Sequence, residues 1–379
     1  MTGYVLTGAQ VFDGSRLLDG HAVVIDAGII QSVVPDDPAL PGNRVALKGG
    51  ILAPGLIDLQ VNGGDGLMVD GSTDLAALRR ICTAHLRLGS AGILPTLITD
   101  TPQAVRQVIG VSVAAGQERM PGFLGLHLEG PHLDPRRKGA HDAGLIRRMT
   151  DDDLAQLCGA ARHLPALLVT LAPESASPAQ IARLAAAGVI VSLGHSDCSH
   201  DVAMAAIKAG AACATHLFNA MSPLGSREAG LVGAVLGSGV AAGLIADGIH
   251  VAAPTMRIAL RAKPEGVFLV SDCMAFAGSD LRQITLNGRV IRREAGRLTL
   301  ADGTLAGADL TLPQAIRFLV QTVGLPVIRA IAMATSIPAG VIKAAQRHGH
   351  LAAGRTADLV HFDADWHVGA VWHSGDRIV

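Results

Sequence analysis

Two rhythms alternate along the middle of the chain. Stretches rich in Ala and Leu, with apolar positions at helical spacing, stop at a glycine. A continuous apolar run follows and ends in polar residues. "LRLGSAGILPTLIT", "LAAAGVIVSLGHS" and "IKAGAACATHLFN" all take this course. Glycine closes a helix because it enters the left-handed region without a Cβ clash. Unbroken apolar runs suit parallel strands covered on both faces, where alternating runs do not. Eight such runs occur: "LIDLQVNG", "GILPTLIT", "GFLGLHLEG", "ALLVTLAPE", "GVIVSLGHS", "ACATHLFN", "AAGLIADGIH" and "VFLVSD". Helical patterns lie between them, as at 73–88, 151–163 and 199–209. Eight β-then-α units predict an α/β fold, a (β/α)8 TIM-like barrel. An open doubly wound sheet is the alternative. No G-x-G-x-x-G opens a helix after a strand to favour it.

The two ends read differently. "AVVIDAGIIQSVV" is a hairpin turning at Ala27-Gly28, and "ADLVHFDADWHVGAVWHSGDRIV" has the same character. Residues 1–52 plus 340–379 are therefore expected to pair into one small β-sandwich domain beside a barrel of residues 53–339. A β-hairpin insert is expected near 281–304, where Asn287-Gly288 and Asp302-Gly303 are turn dipeptides. The stretch Ala229 to Ala246 is uncharged over 18 residues, near the lower limit for a membrane span. It holds five glycines and has no basic or aromatic flank. It reads as a buried helix, a turn and a strand.

Composition narrows the function classes. The chain has 379 residues, of which 49% are hydrophobic and 17% charged, with a net charge of −1. Nothing global favours nucleic acid or a membrane surface, so any anion site must be local. The five cysteines are scattered and form no C-x-x-C, which excludes a disulfide framework or a Cys-rich zinc module. The start, "MTGYVLTGAQVFDG", has no basic stretch and no long apolar run, so no signal peptide is expected. A reduced, cytoplasmic setting is the expectation.

Barrel enzymes carry their chemistry at the C-terminal ends of the strands. Those ends hold Gln60 and Asn62, then Glu129, His195, His216, Asp247 with His250, and Asp272. Singly, each has a bland reading: a histidine bonded within the rim, or Glu129 paired with Arg136 or Arg137. Jointly, Glu129, His195 and His216 are a carboxylate and two imidazoles from three strands. That set suits a divalent ion with a coordination position left for water. Zinc and iron both fit it. Asp272, ending the last strand, is placed to act as a general base and later as an acid.

These segments resemble the N-acetylglucosamine-6-phosphate deacetylases of the amidohydrolase superfamily. "APGLIDLQVNG", "GLHLEGP", "TLAPE", "SLGHS", "THLFNAM", "REAGLVGA", "LIADGIHV" and "LVSD" fall in that family's order and spacing. The resemblance implies Glu129, His195 and His216 as metal ligands and Asp272 as catalytic acid/base. It implies Ala140 and His141 as substrate contacts, with His141 near the acetamido carbonyl. Asn219 and Ala220 would be further contacts, and Arg227 and His250 would hold the sugar phosphate. The backbone at Leu305, Ala306 and Gly307 would close over the sugar. A homodimer is implied, with a phosphate contact that could cross the interface.

Two departures stand out. Gln60 and Asn62 occupy positions where many amidohydrolases carry two histidines, and amides are poor ligands for a transition metal. One ion is expected and a second is not. "SDCMAFAG" replaces the commoner T-D-A-x-x-x-A-G, which places Cys273 and Met274 beside the base. Alternatives stay open: another phosphorylated amino sugar such as the galacto epimer, another amide, or a barrel that binds sugar phosphate without turnover. The sequence gives His127 and His132 no firm role, although His127 points the same way as Glu129 and is read as supporting it.

Overall fold

The computed structural model describes residues 3–286 and 288–379. Its centre is a barrel of eight parallel strands: β1 (Leu56–Val61), β2 (Ser90–Ile98), β3 (Leu126–Glu129), β4 (Leu167–Leu171), β5 (Ile190–Leu193), β6 (Cys213–Ala214), β7 (Ala241–Leu244) and β8 (Val267–Leu269). They pair in sequence order from β1 to β8. Seven fall within the apolar runs of the sequence, and β2 begins two residues before its run. The seam between β8 and β1 is closed mostly outside the regular strands. Val61 and Cys273 form a parallel bridge, and the Asp272 amide donates to the Gln60 carbonyl at 3.0 Å. Below them the buried Asp58 carboxylate accepts from the Ser271 amide at 3.2 Å.

Helices alternate with the strands: α1 (Leu75–Arg87), α2 (Pro102–Gln117), α3 (Asp151–Ala160), α4 (Pro178–Ala186), α5 (His200–Lys208), α6 (Gly230–Gly237), α7 (Ala253–Ala262) and α8 (Leu312–Phe318). Their starts are written locally. Asp74, Thr101, Thr150, Ser177 and Ser199 each accept from a first-turn amide, and Thr150 and Ser177 complete reciprocal capping boxes with Asp153 and Gln180. After α1, α4 and α5 the chain turns at Gly89, Gly188 and Gly210, with φ of 94°, 92° and 121°. These are the three glycines of the recurring motif. The uncharged stretch at 229–246 is α6, a turn and β7. Among the described residues no helix is long and apolar enough to cross a membrane.

The chain ends meet in shared sheets. Ile51–Pro54 pairs antiparallel with Leu359–Phe362, and both join a sheet that includes Gln10–Phe12 and Val368–His373. A second sheet carries the hairpin His21–Asp26 and Ile29–Pro35. Leu6, Val23, Ile25, Leu52, Leu359 and Trp372 are buried together in a core distinct from the barrel's. The insert differs from the simple hairpin expected. It is a four-stranded antiparallel meander: Gln283–Leu286, Arg289–Glu294, Arg297–Thr299 and Leu305–Ala308. One expected turn residue, Asn287, lies outside the described residues. An additional turn falls at Ala295-Gly296, both with positive φ. The meander buries Leu286, Ile291 and Leu298 against Met274 and Phe276, which seats it over the barrel mouth.

Candidate active site

A cavity of about 260 Å³ opens at the C-terminal ends of the strands, under the insert. Asn62, Glu129, His195, His216, His250 and Asp272 line it from the barrel. Ala140, His141, Asn219 and Ala220 line it from loops, and Leu305, Ala306 and Gly307 from the insert. Gly307 has φ of 66°, and a Cβ there would stand 2.8 Å from the Asp272 carbonyl, so only glycine lets this strand close on the base.

The strand ends are strained. His195, His216 and Asp272 have φ of 49°, 30° and 49°, in a region that disfavours side chains. Strain of this kind persists where surrounding contacts over-determine it, and it concentrates at functional sites. Here it turns three polar side chains inward where each strand stops.

Glu129 Oε1 lies 3.1 Å from His195 Nε2 and 3.0 Å from His216 Nε2, and the two nitrogens are 3.1 Å apart. Ligands at about 2.0–2.1 Å in tetrahedral geometry stand about 3.3 Å apart. The protonation logic agrees. His195 Nδ1 is 2.8 Å from the Arg137 carbonyl, which can only accept, so Nδ1 carries a proton. In the neutral ring, the Nε2 lone pair then faces a carboxylate oxygen and another imidazole nitrogen. A cation at the centre reconciles three facing acceptors. Without one, a proton must do so: burial opposes it, but the Glu129 carboxylate raises the His216 pKa. Burial likewise opposes charge on Glu129, yet the two rings hold it well below the usual carboxylate range. The donor set fits a divalent ion. The His216 Nδ1 atom is buried without a partner among the described residues.

His141 stands just outside this triad. Its donor atom lies within 4.8 Å of those of Glu129 and His195, but the contact to Glu129 is 3.9 Å. The Thr99 amide donates to His141 Nδ1 at 3.3 Å, and the Thr99 hydroxyl is 2.8 Å away. Nδ1 is thus the acceptor, and the ring proton is assigned to Nε2, facing the cavity. Burial, then His195, push the His141 pKa down to about 3, so the ring is neutral.

Asp272 is half-buried and faces the cavity. Burial, then the Glu129 charge, push its pKa up to about 6. Asn62 Nδ2 donates to its Oδ1 at 2.8 Å, and Gln60 Nε2 donates to Glu129 Oε1 at 3.1 Å. Both first-strand amides therefore orient carboxylates as donors, although Gln60 does not line the cavity. Across the mouth, His250 Nδ1 bonds Asp247 Oδ2 at 2.6 Å, and Asp247 Oδ1 caps the Ile249 and His250 amides. That fixes the His250 ring over the cavity.

Other expected residues fall elsewhere. Arg227 is exposed on the loop before α6 and does not line the cavity. It forms no ion pair with Glu228, whose carboxylate caps the His200 and Gly230 amides. Arg136 and Arg137 pair with Asp134, Glu174 and Asp197, and neither pairs with Glu129. Met274 lines the cavity, but Cys273 turns away toward the Gly63 carbonyl and His85, and so does not shape it. His127 lies within the barrel and bonds the Leu59 carbonyl and Thr170 Oγ1, in a chain that continues to Thr215 and Ser192. His132 bonds the Arg147 carbonyl. Thr99 and Arg289 are additions to the site. Thr99 ends the second apolar run, so the strand-end rule could have found it. Arg289, on the insert, donates to the Ala140 carbonyl, and no sequence signal marks it.

The chain matches the Amidohydrolase family over residues 51–375 and the NagA composite domain over residues 3–52. It is 38% identical to an N-acetylgalactosamine-6-phosphate deacetylase of Shewanella sp. (strain ANA-3), over 99% of this chain and 95% of that one. It is 34% identical to an N-acetylglucosamine-6-phosphate deacetylase of Haemophilus influenzae, over 96% of each. A solved N-acetyl-D-glucosamine-6-phosphate deacetylase mutant of Mycobacterium smegmatis, in complex with N-acetyl-D-glucosamine-6-phosphate, superposes with a TM-score of 0.92 at 33% identity, covering 100% of both chains. A match of that extent, on a barrel whose strand ends already converge in one donor set, settles the membership: the chain belongs to the amidohydrolase family.

Proposed function

We propose that this chain hydrolyses the acetamide of N-acetylglucosamine 6-phosphate to glucosamine 6-phosphate and acetate. One observation carries the reading: a half-buried carboxylate with a raised pKa shares a cavity with a cation-fitting donor set. The relatives' names supply the substrate. Glu129, His195 and His216 would hold one divalent ion, zinc or iron. When bound, such an ion acidifies water and polarises an acyl oxygen. Asp272 takes the proton of the attacking water and returns it to the departing amine, a role suited to a pKa near the working pH. Asn62 fixes one oxygen of Asp272 and leaves the other for the proton. His141, neutral and bearing its proton on Nε2, donates to the developing oxyanion, a contribution of about 3 kcal/mol per donor. His250 takes the phosphate end. Arg227 serves the phosphate from the partner subunit in a homodimer, which is why it stands outside this chain's own cavity.

The test is acetate release from N-acetylglucosamine 6-phosphate by metal-replete protein. Fast release at micromolar to millimolar substrate supports the reading. No release from folded, metal-loaded protein sinks it. The Shewanella relative favours a second reading, the galacto epimer. Parallel assays on both phosphorylated sugars and on their unphosphorylated forms separate the two. Either reading makes it an enzyme of amino-sugar metabolism, and we place it in the cytoplasm.

A further inference from the structure

The barrel has a second large cavity, at its other end. It measures about 1170 Å³, more than four times the mouth cavity of about 260 Å³. Ala91, at the start of β2, lines it, whereas Ile98, at the end of the same strand, lines the mouth. At about 3.3 Å per residue the two lie about 23 Å apart. Further lining comes from residues 342–344, 346–348, 354–356 and 358.

This cleft concentrates positive charge in a chain whose net charge is −1. Arg119, Lys343, Arg347 and Arg355 line it, and none of them pairs with a carboxylate among the described residues. The one acidic residue in the lining, Asp358, is already engaged by His373 at 2.9 Å and by the Ser374 amide at 2.9 Å. Arg355 is anchored in advance. Its Nη1 donates to the Ala345 and His348 carbonyls at 2.8 and 3.2 Å, and the rest of its fork has no partner among the described residues. Two of the cations, Arg119 and Lys343, sit at φ of 51° and 57°, where glycine would be free of strain. Between the charges, Pro121, Leu124, Pro165 and Ile342 add apolar surface to the lining.

We propose that this cleft is a second ligand site, for a polyphosphate anion of nucleotide size. Arg119, Lys343 and Arg347 are exposed along the cleft and Arg355 is half-buried, and like charges along a concave surface focus potential on an anion. Guanidinium forks match phosphate oxygens in pairs. A single phosphate would engage only part of four separated cations and leave most of the volume unfilled. A chain of phosphates offers an oxygen to each cation, and a flat ring can rest on the apolar surface between them.

The experiment is calorimetric titration of the full, metal-loaded chain with ATP and with tripolyphosphate at low salt. Saturable binding of both is expected, with Kd below about 1 mM and ATP at least as tight. Lys343→Glu with Arg347→Glu should weaken it about tenfold or more, as should Arg119→Glu, which sits on a different element. Removal of active-site metal by the probe would affect all these variants alike and cannot mimic that loss. His250→Ala, altered at the mouth only, should bind as the wild type does. Absence of saturable binding up to about 5 mM overturns the proposal. So does affinity within about twofold of wild type in both charge-reversal proteins, or loss of binding in His250→Ala.

Discussion

The two ends of the proposed substrate meet differently built parts of the molecule. At the acetamide end, Glu129, His195 and His216 stand at the ends of three barrel strands and close to within hydrogen-bonding distance, and Asp272, beyond the end of a fourth, lines the same cavity. At the phosphate end only His250, braced by Asp247, faces the cavity, and Arg227 stands outside it. Strand ends are fixed by the ladder beneath them. Loop residues are fixed only by what they touch, and Arg227 is exposed with no ion pair among the described residues. On the proposed reading, the chemistry is complete in one subunit and anchoring of the phosphate is not.

The sharpest way to break that comparison is at the base. Asp272→Asn keeps the shape and the bond to Asn62 but removes the proton acceptor. Turnover should fall about 10²–10⁴-fold with metal content unchanged by elemental analysis. If activity near wild type survives, the acetamide end is built on another residue. Glu129→Gln asks the complementary question. It should lower metal content and turnover together, because the rings of His195 and His216 lose the charge they face.

At the phosphate end the effects should be smaller and fall on binding. His250→Gln breaks a bond braced by a carboxylate, so KM should rise about 10–100-fold with a much smaller change in kcat. Arg227→Ala should raise KM about tenfold. Mixing it with an inactive Asp272→Asn chain should recover part of the activity, because a mixed dimer can join one intact base to one intact arginine. Failure of mixing to recover anything, in protein shown to exchange subunits, would place Arg227 outside the reaction.

Much of this was legible in the residues. The apolar runs located all eight barrel strands, because parallel strands buried on both faces leave no alternation to confuse with a surface. The donor set was legible for the same reason: polar residues ending such runs have one place to go. The insert was read too simply, because Ala295-Gly296 is a weaker turn signal than Asn-Gly or Asp-Gly, yet it adds a strand pair. Arg289 was invisible, since its bond to Ala140 spans 149 residues and depends on how the meander folds back. Cys273 was misplaced because the left-handed turn at Asp272 sends the next side chain into the seam with β1.

The finest test concerns Asn62, which stands where many relatives in the superfamily carry a ligand. If its task is to orient Asp272, the pH profile should report it. Asp272 is held at about 6 by burial and by Glu129, with the Asn62 bond pulling the other way. The base works as a carboxylate, so kcat/KM should fall as pH drops through that value, and the metal ion would move the limb lower still. Asn62→Leu removes a donor to the charged form, which favours the protonated form. The limb should therefore move upward, by about one pH unit, with metal content unchanged. A downward shift would mean that Asn62 destabilises the carboxylate. A loss of metal without any shift would mean that the amide serves the ion and not the base.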